Sequence, residues 1–168
     1  MARVNTSIGD VFCVKTDDSG KKYFQLIAFD STQLNSDVIR AFKEVYPLNV
    51  NIELSEIVSG EVEFYAHCVT KLGLKMKVWE KVGNINVIGD TTQILFRGTN
   101  DYGSKAGEDP IKKSNKWYVW RINDNDFTQV GKLEGQNRKA FIGMVINPLG
   151  ILELIRGNKY PINYPEFE

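Results

Sequence analysis

Histidine occurs once in this chain and cysteine twice, and both scarcities narrow the chemistry open to it. Cys13 and Cys68 are too few for a disulfide scaffold or a cysteine-ligated metal site. His67 alone would leave carboxylates to complete a metal centre, so no metal is expected. No apolar run approaches the roughly 18 residues needed to span a bilayer. Residues 1–10 hold no charged-then-apolar leader, so the reading is cytoplasmic. Neither sign of charge dominates: Lys plus Arg and Asp plus Glu number 21 each, and no net field draws in nucleic acid or an acidic membrane. Gly-x-Ser-x-Gly and Ser-x-x-Lys are both missing. The Gly83 to Gly89 segment lacks the Lys-Ser/Thr of a P-loop and the spacing of a dinucleotide fingerprint. These absences leave no catalytic set and no expected cofactor, so the chain is read as a non-enzyme.

What is present is an ordinary folding composition: 168 residues, 42% hydrophobic and 25% charged, suit one domain. Two dense apolar runs, residues 11–15 and 23–29, flank Asp17-Asp18-Ser19-Gly20 and predict a buried β-hairpin. Val38, Ile39, Phe42, Val45 and Tyr46, set against Asp37, Arg40, Lys43 and Glu44, predict a helix over 36–46 that Pro47 stops. Alternation predicts strands over 49–55 and 62–68, and Leu72, Met76 and Trp79 a short helix. Strand-like pieces follow at 85–88, 92–96, 117–122 and 140–146. Residues 97–116 form a long polar loop. Asn147-Pro148 opens a last helix that Gly157-Asn158 closes, and an extended tail with Pro161 and Pro165 completes the chain. The expected fold is α+β: a mostly antiparallel, curved, barrel-like sheet with two amphipathic helices across it. Phe24, Leu26, Phe42, Phe64, Ala66, Ile94, Phe96 and Ile155 are its expected core.

Several side chains could carry chemistry. On the 62–68 alternation His67 points outward with Glu61, Glu63 and Tyr65, so a small hydrolase built on His67 and Glu63 is one reading. Cys13 and Cys68 lie in apolar strands and read as buried thiols. Asp124-Asn125-Asp126 lacks the glycine and distal glutamate of a calcium loop and reads as a turn. Lys112, Lys113 and Lys116 beside Tyr118 and Trp120 could track a phosphate backbone and stack bases, which makes a nucleic-acid-binding β-domain the alternative function. Lys71, Lys75, Lys77 and Lys81 read as a solvated face.

The order of these pieces resembles the immunity protein 26 family of bacterial polymorphic toxin systems. Gly9-Asp10-Val11-Phe12 opens the pattern, and the apolar strand at 24–29 and the Trp79 to Val82-Gly83 turn follow. Trp120, Val130-Gly131 and the closing helix complete it by about Arg156. The resemblance implies a non-enzymatic protein that binds and neutralises a cognate toxin. For such a partner, Asp101, Tyr102, Glu108, Asp109, Asp124 and Asp126 are the candidate contacts, since carboxylates steer a basic toxin nuclease.

Overall fold

The Asp17-Asp18-Ser19-Gly20 turn joins β1 (Asp10–Lys15) to β2 (Gly20–Asp30), and its own side chain builds it. Asp17 Oδ1 accepts the backbone N–H groups of Ser19 and Gly20, each at 2.8 Å. In this computed structural model, which describes residues 4–160 and 162–168, β2 runs for 11 residues through the middle of the larger of two sheets. That sheet is ordered β11 (Val145–Ile146), β5 (Val62–Cys68), β3 (Ser36–Phe42), β2, β1 and β6 (Glu80–Asn84). A short β4 (Tyr46–Pro47) pairs with the start of β2. The smaller sheet is ordered β10 (Phe141–Ile142), β7 (Leu95–Thr99), β8 (Trp117–Arg121) and β9 (Thr128–Gly131). Among the described strand pairs, β11 on β5 and β10 on β7 are the parallel ones, and an isolated parallel bridge joins Lys113 to Glu166. The α+β class holds, and the two sheets stay open rather than closing into a barrel. Residues 1–3 and Pro161, on which parts of the leader and tail readings fall, lie outside the described residues.

Among the described residues a 3-10 turn at Gly135–Lys139 and three α-helices accompany the sheets, the helices being α1 (Leu54–Val58), α2 (Thr70–Lys75) and α3 (Pro148–Ile155). The last forms as its sequence dictates, with the Asn147 side chain accepting from the N–H of Gly150 at 2.8 Å and proline in the first turn. The helix expected over 36–46 is absent, and its first part is the central strand β3. Both faces of β3 are covered, so apolar residues occupy either side and a helical spacing appears by coincidence. Adjacent β-branched Val38 and Ile39 favour the extended form. Phe42 is nevertheless 2% exposed and in the core, as expected of it. Residues 49–55 form no strand either: Leu54, Ile57 and Val58 fall at helical spacing, and the last two are buried as α1. The strand expected at 85–88 lies instead at β6, within the expected turn, and β4 and β9 carried no clear alternation.

Apolar surface is organised in four zones. On one face of the large sheet Phe12, Val14, Phe24, Leu26, Ile39, Ala41 and Ala66 lie under α2, α3 and Trp79. The Phe12 and Phe24 rings stack at 4.9 Å, and Phe24 meets Trp79 edge-on at 5.0 Å. The opposite face packs on α1 through Val11, Tyr23 and Phe42, and on the small sheet through Ile27 and Val38, which meet Ile94, Phe96 and Trp120. The outer face of the small sheet is closed by Leu133, Ala140 and the tail residues Tyr164 and Phe167 over Trp117. The strand expected over 140–146 is split at Gly143, so that β10 joins the small sheet and β11 the large one. A side chain on Gly143 would overlap the Trp120 ring, so this crossover needs glycine. Phe64 is half-buried, and the other seven expected core residues are buried.

Candidate functional site

His67 does not face solvent. It is fully buried, its ring lies against Phe96 at 4.2 Å, and its Nε2 is 2.8 Å from Asp30 Oδ2, also fully buried. The alternation of β5 was correct, but the small sheet covers the His67 end of that face and leaves Glu61 and Glu63 outside. Glu63 pairs with Lys22 rather than with His67. Asp30 Oδ1 accepts the N–H and hydroxyl of Thr32 and the N–H of Asn123, so one carboxylate ties β2, β5 and the β8–β9 turn together. Burial pushes the imidazole below its ordinary pKa of 6.5, against the pull of Asp30. Burial alone would raise the carboxyl of Asp30, but hydrogen bonds from Thr32, His67 and Asn123 hold it below 3.8. Chemically the pair could move a proton, yet no substrate reaches it. It works as a structural hub.

The six candidate partner contacts separate into two groups. Asp101 and Tyr102 follow Thr99, which pairs with Trp117 at one end of β8. Asp124 sits beyond Arg121 at the other end, four residues or ~13 Å along the strand. Asp124 Oδ2 accepts the N–H of Arg121 at 2.8 Å and so fixes its own turn, while Asp126 is exposed. Asp101 is likewise engaged, accepting from the Ser114 hydroxyl at 2.8 Å. Thr99 bonds the same hydroxyl at 3.0 Å, and Gly103 N–H reaches Asn163 O at 2.6 Å. Ser114 N–H and Lys112 O pair with the backbone of Glu166. The long polar segment is therefore fastened at its base and against the tail. Between these ties it displays Tyr102 at 46% exposure, with Glu108 and Asp109 exposed beyond.

Lys112, Lys113 and Lys116 are exposed on the same segment. Trp117 and Trp120 are both buried, and Tyr118 stacks on Phe127 at 5.5 Å, so the aromatic residues of this stretch are engaged internally. Lys71, Lys75, Lys77 and Lys81 are exposed as read, although Lys81 reaches back to buried Asp10 at 2.7 Å. Cys68 is buried and its thiol is pushed up by burial. Cys13 is only half-buried, lining a cleft of about 580 Å³ with Lys21 and Tyr23; burial raises its pKa as well, which keeps it a thiol. Among the described residues no three His, Cys, Asp or Glu side chains group to hold a metal ion. No helix among them is long and apolar enough to cross a membrane.

The site that sequence reasoning missed is the cleft where the two sheets meet beside Tyr65. It measures about 420 Å³, and Tyr65, Ile94, Leu95 and Phe141 line it together with Arg121 and Lys139. Its parts come from β5, β8, β10, the start of β7 and the helical turn Gly135–Lys139, so no local spacing could announce it. Comparison with protein families, with curated proteins and with solved structures gives no match to this chain.

Proposed function

We propose that this protein is an immunity protein, which binds a cognate bacterial toxin and neutralises it without chemistry of its own. The observation that carries the reading is the fastened loop over residues 100–116. Its base is tied by Asp101, Thr99 and Ser114 and its flank by the tail, while Tyr102, Glu108 and Asp109 stay in solvent. A loop ordered before binding loses less conformational entropy on association, and an exposed tyrosine among acidic groups supplies an anchor with a steering rim. Within the candidate contacts this favours Tyr102, Glu108 and Asp109, because Asp101 and Asp124 already hold internal hydrogen bonds. The family-like order of elements supports the same reading.

Co-expression with the toxin encoded beside its gene tests it. Growth should be protected and the two proteins should co-purify. Tyr102→Ala should weaken the complex by about tenfold or more, as an aromatic anchor does. A pair that neither protects nor co-purifies ends the proposal.

A further inference from the structure

We propose that the cleft between the sheets at Tyr65 and Phe141 is a binding site for a carboxylate carried on an aromatic ring. It lies at the Arg121 end of β8, away from the 100–116 loop, and does not depend on the toxin reading. Its walls define the class of ligand. Tyr65 and Phe141 meet edge-to-face, with centroids 5.2 Å apart and planes at 72°, and both rings are half-buried. With Ile94 and Leu95 they give an apolar floor on which a flat ring can pack. A volume of about 420 Å³ falls within the range of small-molecule sites.

Charge decides the polar end. Arg121 and Lys139 stand at the cleft, and neither has an ion-pair partner among the described residues. Behind the floor, Arg40 is paired with Tyr65 across β3 and β5 and is buried without a carboxylate. Its guanidinium donates to Gln25 Oε1 at 2.9 Å and Val87 O at 2.6 Å. Arg40 is thus held behind Tyr65, and the cations that line the cleft are Arg121 and Lys139. Against them Asp90 also lines the cleft and keeps its charge while accepting from the N–H and hydroxyl of Thr92 at 2.9 and 2.6 Å, and Asp124 accepts from the backbone of Arg121, so the lining sets two cations against one carboxylate. Gln93 and Gln136 add amide donors at the wall. A planar carboxylate matches the guanidinium of Arg121 in a two-point contact, with Lys139 as a second charge.

The ligand chemistry has two sources, a free small acid or the terminal residue of a polypeptide. The isotope-labelled full chain is titrated with phenylacetate, with its neutral analogue phenylacetamide, and with Gly-Gly-Phe bearing a free or an amidated carboxyl terminus. Phenylacetate should bind with a Kd of about millimolar, as its size allows, and shift amide signals at Tyr65, Leu95, Lys139 and Phe141. It should bind about tenfold tighter than the amide and weaken as salt is raised. The double substitution Arg121→Ala and Lys139→Ala, both at exposed positions, should remove about tenfold and leave the rest of the spectrum unchanged. The free-acid tripeptide binding more tightly than phenylacetate assigns the site to a polypeptide terminus, and the reverse order assigns it to a small acid. Equal binding of acid and amide, shifts elsewhere in the chain, or an unaffected double variant overturns the proposal. Should the alanine pair perturb the fold, Arg121→Gln with Lys139→Gln gives the same comparison.

Discussion

Because the chain has one histidine, its stability between pH 6.5 and about 5 reports chiefly on one buried ring. Two effects compete at His67. Desolvation disfavours the imidazolium, and Asp30 at 2.8 Å favours it. The first is larger, because Asp30 also answers to Thr32 and Asn123 and both partners are fully buried. The folded ring therefore stays neutral below pH 6.5, while the unfolded ring takes up its proton. The unfolded state then binds more protons, and stability is lost as pH falls from 6.5 towards the depressed folded value. The slope is at most about 1.4 kcal/mol per pH unit. Asp30 and Asp10, whose folded pKa values are also lowered, add further losses as pH falls below about 5.

Urea unfolding at pH 7.0, 6.0 and 5.0 measures this slope with the m-value as control. Stability should drop from pH 7 to 5, by at most ~2 kcal/mol, which would be a large share of the stability of an ordinary domain. His67→Gln should lower stability at pH 7 by ~1–3 kcal/mol through the lost buried bond, yet be nearly flat over the same range. A parent that gains stability on acidification towards pH 6.5 would mean that the ring is held as imidazolium against Asp30. That sign, or an unchanged slope in His67→Gln, would refute the reasoning.

Two further substitutions test the packing. Lys77 follows α2 in the left-handed region, φ 58°, with its N–H on Leu74 O and the Val78 N–H on Gly73 O. Lys77→Gly keeps that turn without the side-chain penalty and should stabilise by ~0.5–1 kcal/mol, a rise in Tm of about 2–3 °C by calorimetry. Gly143→Ala places a methyl against the Trp120 ring at the crossover between sheets and should cost ~1–3 kcal/mol, with altered tryptophan fluorescence. An unchanged Tm in either variant counts against the geometry assigned there.

Elements with a strong local cause were legible in the sequence. The Asp17 turn, the alternation of β5 and the Asn147-Pro148 start of α3 all carry their reason within a few residues. Segment 36–46 did not, because a strand covered on both faces loses the polar side that marks its period. Apolar character alone still placed Phe42 and Phe24 in the core. His67 was assigned to the correct side of β5 but to the wrong environment: periodicity separates two faces and cannot say how far along one of them another layer extends. Asp30 and His67 are 37 residues apart, and nothing local to either marks the pairing. Among the candidate contacts, spacing could not distinguish Asp101, which ties the loop base to Ser114, and Asp124, which closes its turn, from Glu108 and Asp109, which face water.

The inward face of the large sheet carries polar pins as well as apolar area, and they bear on both proposed surfaces. Apolar contact alone would let one sheet slide over the other at little cost, since it has no direction. Asp30 removes that freedom by accepting from Asn123 in the turn after β8, and Ser31 adds two bonds to the Asn123 side chain at 2.8 and 3.0 Å. Arg40 does the same for the segment leading to β7 by donating to Val87 O. The 100–116 loop and the inter-sheet cleft both belong to the small sheet or its border. Their placement against the rest of the molecule thus rests on these few directional bonds, each lost at a cost of ~1–3 kcal/mol if a buried partner is left unpaired. Acid that protonates Asp30 weakens its hold on the Asn123 turn at the Arg121 end of β8, leaving the Ser31 bonds in place, so the border of the cleft is expected to loosen before the core of the large sheet unfolds.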